Sequence, residues 1–297
     1  MGYVYLILVA LMFSLGGTSV KLIRPYFAPS MITLMRFVVG VFWLLLLKLV
    51  RRKRFRADFA GSFRKHWKWL AFGAVVKLAA YTMENIGLSV GVSYGNILTQ
   101  PAQMILLTAL GVLVLKESMN GWKWSGVALC VTGILLISWN GLSLDAFLGD
   151  HLPLTLLYLF SGVCAGLFVF AQKKLSADFD ILDSNLIMFA MASLLAFFVP
   201  LSEGNLLPSS APDLKCVIAI LYFGFVTGIG FYLNAKAIPL VPFQMVALLQ
   251  STMVFFALIW GAVFFREPVT VWTVGGALLF VLGILCIHHR GNRAGAG

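Results

Sequence analysis

The chain has 297 residues, of which 61% are hydrophobic and only 11% are charged, and its formal net charge is +11. Soluble domains are about 45–50% apolar and about 25% charged, so this composition excludes a soluble globular protein and a disordered one. Four cysteines in a chain of this length exclude a disulfide scaffold. The composition is typical of a protein that crosses a membrane several times.

Ten apolar segments approach or exceed the length needed to cross about 30 Å of hydrocarbon as α-helices. Lipid offers the backbone no hydrogen-bond partner, so the segments are predicted to be helical, and the alternating polarity of barrel strands is absent from them. We therefore predict an all-α polytopic membrane protein with ten transmembrane helices. The predicted spans are 3–23, 30–50, 69–89, 94–115, 122–139, 154–172, 181–201, 216–237, 241–265 and 269–287.

The basic residues predict the orientation of these spans. Most of the 22 Lys and Arg residues lie in loops on one side, and the loop after the second span holds the largest group. Cytoplasmic loops carry the positive excess, so both termini are predicted to be cytoplasmic. We interpret the basic excess as a topology signal that also contacts lipid headgroups, and we expect no nucleic-acid partner.

Residues of the second half match residues of the first half at one constant offset in the sequence. This offset is the one that separates Gln250 from Gln100. The same spacing aligns Glu117 with Glu267, a Trp with a Trp and several Gly pairs, which chance matching of apolar residues would not produce. We therefore predict two five-helix repeats, 1–141 and 153–289, joined by a periplasmic linker at 142–152. A Gly- and Ala-rich tail, 290–297, is predicted to be disordered.

Each half contains an odd number of spans, so the second copy must enter the membrane in the opposite orientation to the first. Inverted repeats are related by a pseudo-two-fold axis in the membrane plane, and they provide the two related arrangements that alternating access requires. The substrate site of such a protein lies between the repeats, near the midplane.

Two stretches at the ends of apolar spans resemble a known family. Each half has an apolar span that ends in a basic residue and a glutamate, Lys116-Glu117 or Arg266-Glu267, before a Gly-rich helix. Together with the inverted repeat, this pattern resembles the drug/metabolite transporter superfamily and, within it, the bacterial EamA branch. Pro101 matches the proline that the family carries inside its fourth span, whereas the second-half counterpart is Ser251. The resemblance implies a bacterial inner-membrane carrier that exports amino acids or related small metabolites, often with proton coupling.

Ionisable residues within spans are costly and are functional candidates. Arg36 lies about 9 Å and Glu84 about 7.5 Å below the predicted outer surface, at 1.5 Å per residue, so the two side chains can pair between adjacent helices. The pair is either a structural one, or Glu84 carries protons or meets a substrate cation. The sequence leaves both interpretations open.

Lys77 lies about 12 Å from the inner end of its span, near the midplane, and no carboxylate is predicted at its depth. Such a lysine favours a water-filled cavity with an anionic ligand group, the alternative being a side chain that snorkels toward the cytoplasm. Tyr81 and Glu84 follow on the same helix face. Ammonium, phenol and carboxylate in sequence suit a zwitterionic substrate, and Asn85 lies next to them.

A polar stripe of Asn96, Gln100 and Gln103 is predicted on one face of the fourth span, and Gln250 is the second-half counterpart of Gln100. These amides either line the substrate cavity or form hydrogen bonds between helices.

The charged set occurs in the first half only. Thr227 and Asn234 stand in the second half where the first half has Lys77 and Glu84. A substrate site built on these residues would be asymmetric on a symmetric scaffold.

Taken together, the sequence predicts a secondary active transporter that exports amino acids or similar small zwitterionic metabolites by alternating access. An organic-cation carrier for drug-like or choline-like substrates and a lipid-headgroup flippase are the alternatives. The chain has no Walker sequence, so an ATP-driven pump is not expected, nor is an enzyme, a cofactor or a metal site. The expected partners are a small-molecule substrate, membrane lipids and protons as a coupling ion, in a monomer or a homodimer.

Overall fold

The computed structural model describes residues 1–52, 59–90, 99–116, 119–139, 141, 143, 152–266 and 269–291. Each of the ten predicted spans contains helix in the part of it that the structure describes. The first half consists of α1 (Gly2–Ser14), α2 (Gly16–Ile23), α3 (Pro29–Val50), α4 (Phe59–Val90), α5 (Thr99–Leu113) and α6 (Gly121–Trp139).

The second half begins with α7 (Leu152–Leu175), α8 (Ile181–Glu203) and α9 (Leu214–Phe225). A π-helical segment (Val226–Gly230) then leads into α10 (Phe231–Ala237) and a short 3-10 turn (Ile238–Leu240). The chain ends with α11 (Phe243–Ser251), α12 (Met253–Phe265) and α13 (Val271–Gly291). The predicted tail therefore begins inside the last turn of α13, and residues 292–297 lie outside the described part.

The ends of corresponding helices are built alike in the two halves. Asn120 accepts a hydrogen bond from the Lys123 N–H at 3.0 Å before α6, and Thr270 occupies the same capping position before α13. Lys116 and Arg266, which precede these caps, both have a left-handed backbone, with φ of 55° and 54°. Because residues other than Gly rarely adopt this conformation, its recurrence at matching positions marks a structural repeat.

Three of the predicted spans are segmented. The first breaks at Leu15, the eighth contains the π-helical segment, and the ninth breaks at Thr252. Thr252 donates from its hydroxyl to the Leu249 carbonyl at 2.7 Å, so its side chain competes with the helical hydrogen-bond ladder at the break. The ninth span is therefore interrupted next to Ser251, although the family's proline is replaced there.

Six segments of the described chain are long and apolar enough to cross a membrane: Gly2–Ile23, Pro29–Val50, Pro153–Leu175, Ile181–Glu203, Leu214–Leu240 and Leu248–Phe265. Three further helices are apolar but shorter, namely Ala102–Leu113, Gly121–Ile137 and Val271–Gly283. The remaining predicted span lies in α4, whose 32 residues begin with a basic segment and include Lys77 and Glu84. The helical class and the six spans agree with the sequence analysis, while ten crossings stay a prediction.

Helices of one half contact their own counterparts in the other half. The helix α6 packs on α13, α3 on α8, and α5 on α11. The other contacts between the halves come in exchanged pairs, since α4 packs on α7 while α2 packs on α9 and α1 on α10. Exchanging the two halves therefore leaves the packing pattern unchanged.

The backbones of α6 and α13 come especially close together at their glycines. A Cβ on Gly133 would lie 2.5 Å from the Gly276 carbonyl, and a Cβ on Gly283 would lie 2.6 Å from the Gly126 carbonyl. Gly126 and Gly133 are the counterparts of Gly276 and Gly283, so the contact is reciprocal, as in an isologous interface. Small residues here let the two backbones approach each other closely.

Candidate functional site

Helices from both halves surround a cavity of about 60 Å³, which has room for a few water molecules. Its wall contains Arg36, Lys77 and Glu84, the three charged residues that the sequence singles out as candidates within the spans. The lining residues are Phe13, Arg36, Lys77, Tyr81, Glu84, Thr99, Gln100, Gln103, Ser161, Ala165, Val169, Phe231, Gln250 and Met253. The cavity therefore brings together seven of the residues predicted to form the site or its ion pair.

Arg36 is almost completely buried at the cavity wall. Its Nε donates to the Thr227 hydroxyl at 2.9 Å, and its Nη1 lies 3.8 Å from the Glu84 carboxylate. The guanidinium lies over the rings of Tyr81 and Phe223, at 3.2 and 4.0 Å from their centroids. Nη1 has no hydrogen-bond partner among the described residues. Nη1 of Arg36 is thus too far from the Glu84 carboxylate for a hydrogen bond, and the guanidinium packs mainly against aromatic rings.

Lys77 is surrounded by three aromatic rings. Its Nζ lies 3.9 Å from the ring centroid of Tyr81, 4.0 Å from that of Phe231 and 5.0 Å from that of Phe168. No salt bridge of this ammonium is found within the described chain. The negative faces of the rings stabilise the cation. The buried ammonium is therefore held mainly by ring faces contributed by both halves.

Tyr81 and Phe231 occupy equivalent positions in the two repeats, and they contact each other. Their ring centroids are 6.0 Å apart in an edge-to-face arrangement. Phe231 also packs against Phe13 and Phe168, so it lies at the centre of a cluster of rings. The face of α4 that carries the charges therefore packs directly against its uncharged counterpart on α10.

Two of the predicted site residues are not placed at the cavity. Asn85 is fully buried and donates to the Thr33 hydroxyl at 2.8 Å, so it ties α4 to α3. Asn96 lies outside the described residues.

Two of the other predicted amides, Gln103 and Gln250, begin a chain of hydrogen bonds that leads away from the cavity, whereas Gln100 donates to Thr99. Gln103 donates to Gln250 at 2.7 Å, and Gln250 donates to Asn234 at 2.6 Å. Asn234 continues to Gln172 at 3.4 Å, and Gln172 donates to Asn185 at 2.8 Å. Every member is buried. Only Gln103 belongs to the first half, so this amide chain joins it to four helices of the second.

Beyond the amide chain, charged side chains connect the two halves at one end of the molecule. Lys48 at the end of α3 forms a buried ion pair with Asp183 at the start of α8. Arg51 donates to the Tyr232 hydroxyl at 2.6 Å. Both contacts join the first half to the second, and both lie at the end that the sequence predicts to be cytoplasmic.

Seven cavity residues were not predicted, namely Phe13, Thr99, Ser161, Ala165, Val169, Phe231 and Met253. The repeat contained a signal for Phe231, because the spacing that aligns Gln100 with Gln250 also aligns Tyr81 with Phe231. No pattern distinguishes the others from ordinary packing residues. In the described part, no cluster of three or more His, Cys, Asp or Glu side chains is arranged to hold a metal ion.

Comparison with solved structures identifies the fold of the chain. No curated protein sequence matches the chain. One solved structure, a crystal structure of a protein, aligns with 99% of this chain over 97% of its own length, with a TM-score of 0.73 at 14% sequence identity. At that identity the likeness shows the fold alone.

The sequence profile of the EamA-like transporter family matches residues 1–139 and 153–288, which are almost the whole of both halves. This match confirms the resemblance drawn from the sequence and implies a small-molecule substrate in a lipid setting. The chain belongs to the EamA-like transporter family, and it is a multi-pass membrane transporter of the drug/metabolite transporter type.

Proposed function

We propose that this protein is a secondary active transporter that exports amino acids or similar small zwitterionic metabolites across a bacterial inner membrane. The observation that carries the proposal is the cavity between the halves, whose wall holds Arg36, Lys77 and Glu84. Ionisable groups within a membrane protein are costly, and they occur mainly where they serve substrates, ions or each other.

The side chains of the cavity suit the two charged groups of an amino acid. The Lys77 ammonium has donors available for a carboxylate, and Glu84 offers a carboxylate to an amine. Tyr81 lies between them and presents its ring face. Arg36 adds a second positive charge, so the wall carries one more cation than carboxylates. This balance favours a ligand with a carboxylate over an organic cation.

Export by alternating access requires two related arrangements of the halves. The reciprocal contacts at α6 and α13 support an inverted repeat, in which the two halves exchange conformations. With both termini cytoplasmic, Arg36 and Glu84 lie toward the outer side and the amide chain lies toward the cytoplasm. A cavity of about 60 Å³ is smaller than typical ligand pockets of about 300–1,000 Å³, so the halves must separate to admit a substrate.

An uptake screen in proteoliposomes tests this proposal. Amino acids and organic cations are offered with and without a pH gradient, and accumulation is measured for the wild type, Lys77→Ala and Glu84→Gln. We expect transport of amino acids that both variants reduce at least tenfold. Lys215→Ala and Glu203→Gln, which change exposed side chains away from the cavity, serve as matched controls and should retain transport.

The screen also separates the alternatives. Transport of organic cations that depends on Glu84 but not on Lys77 would replace the amino-acid proposal with a cation carrier. Normal transport of every substrate by folded Lys77→Ala and Glu84→Gln would overturn the assigned site. A gradient dependence lost in Glu84→Gln would assign proton coupling to that carboxylate.

A further inference from the structure

Both cations of the cavity come from the first half of the chain. Both contact the eighth predicted span, which consists of α9, the π-helical segment and α10. Arg36 lies over Phe223 of α9 and donates to Thr227 of the π-helical segment. Lys77 lies over Phe231, the first residue of α10. The cations therefore contact this part of the chain just before the π-helical segment, within it and just after it.

The π-helical segment is a place where this helix can change shape. In a π-helix the backbone hydrogen bonds span one residue more than in an α-helix, and such segments are rare and frequent at functional sites. Gly228 lies within it, and a Cβ there would lie 2.5 Å from the Gly40 carbonyl of α3. The segment therefore packs tightly against the helix that carries Arg36, and a change in its winding would move Phe223 relative to Phe231.

We infer that Phe223, Thr227 and Phe231 are positioning residues that hold Arg36 and Lys77 at the cavity wall. Ring faces attract a cation while leaving its N–H donors free to meet an incoming carboxylate. A carboxylate at the cavity draws the ammonium away from Phe231 and so weakens one of the contacts between α10 and the first half, which also include the packing of α1 on α10. This last step rests on the proposed function, whereas the contact between Lys77 and Phe231 does not.

The contact between Lys77 and Phe231 is tested by making the face of the Phe231 ring less negative while keeping the size of the ring nearly the same. Phe231 is replaced site-specifically by phenylalanine with one, two or three ring fluorines, which weaken the negative ring face stepwise. Hydrogen exchange of the 226–237 backbone is then followed by mass spectrometry on the full chain in detergent, without ligand. Each fluorine should speed exchange, reaching about 2- to 30-fold for the trifluorinated ring, the range that cation–π energies predict.

Two controls separate this effect from general loosening. In a Lys77→Met background the dependence on fluorine should disappear, because the cation is gone while a side chain of similar length remains. The same series at Phe189, a buried ring that packs 5.8 Å from Phe231 but contacts no cation among the described residues, should leave exchange unchanged.

The inference is overturned if fluorination at Phe231 leaves exchange unchanged, or if it acts equally with and without Lys77. Either result can occur whether or not the uptake screen finds an amino-acid substrate, because no ligand is used. Failure of the screen with an intact fluorine dependence would instead refute the proposed substrate and leave the contact between the halves established.

Discussion

At the scale of single residues, the buried cations of the molecule are compensated in different ways. Lys48 is paired with the Asp183 carboxylate, whereas Lys77 faces three rings, and Arg36 combines a hydroxyl, a distant carboxylate and two rings. A close ion pair is strong in a low-dielectric setting and resists separation. Ring contacts are weaker and leave donors available. The Lys48–Asp183 pair at the helix ends is therefore suited to hold the two halves together. The cations of the cavity are suited to bind a ligand.

Breaking the Lys48–Asp183 pair should cost far more than breaking an exposed one. Asp183→Asn removes the carboxylate that is paired with a buried cation, and we expect a loss of about 3–5 kcal/mol in the free energy of unfolding. Lys65→Gln breaks the exposed pair with Asp178, where the loss should be about 0–1 kcal/mol. Thermal unfolding of purified protein measures both. Equal midpoints for the two variants would show that the buried pair does not stabilise the fold.

At the scale of helices, equivalent elements of the repeat are used for different tasks. The helix α4 carries the charges, while its counterpart, from α9 to α10, carries rings and amides. Tyr81 of α4 and Phe231 of α10 are in contact, so α4 contributes the charged side of the cavity wall and α10 contributes an uncharged side. The two copies thus contribute different side chains to the cavity, while their helices pack in the same pattern.

The contact between α6 and α13 gives a prediction at the same scale. A Cβ on Gly276 would clash with backbone atoms of α6, including the Ile137 N at 3.0 Å, whereas nothing lies within 4 Å of a Cβ on Gly275. Gly276→Ala should therefore destabilise the protein by about 1–3 kcal/mol through overpacking. Gly275→Ala should be neutral or stabilising, because Ala favours a helix over Gly. A lower unfolding midpoint for both variants would contradict this.

At the scale of the whole molecule, the lengths of the apolar segments predicted the helices, and the repeat predicted which helices correspond. Depth along a span placed Arg36 and Glu84 near each other, because rise per residue is fixed in a helix. The partners of Lys77 could not be predicted in this way. Phe168 and Phe231 come from the other half, and the sequence does not state which faces meet. Asn85 shows the same limit, since its side chain donates to Thr33 of α3 and does not line the cavity.

The orientation of the halves can be tested at one matched pair of positions. Lys116 and Arg266 have the same left-handed backbone at the same place in each repeat. If the halves are inverted, Lys116 lies at the cytoplasmic surface and Arg266 at the outer one. In a cysteine-free background, a membrane-impermeant thiol reagent should label Arg266→Cys on intact cells, and Lys116→Cys only after permeabilisation. Labelling of both from the same side would refute the inverted repeat, and with it the mechanism of alternating access between equivalent halves.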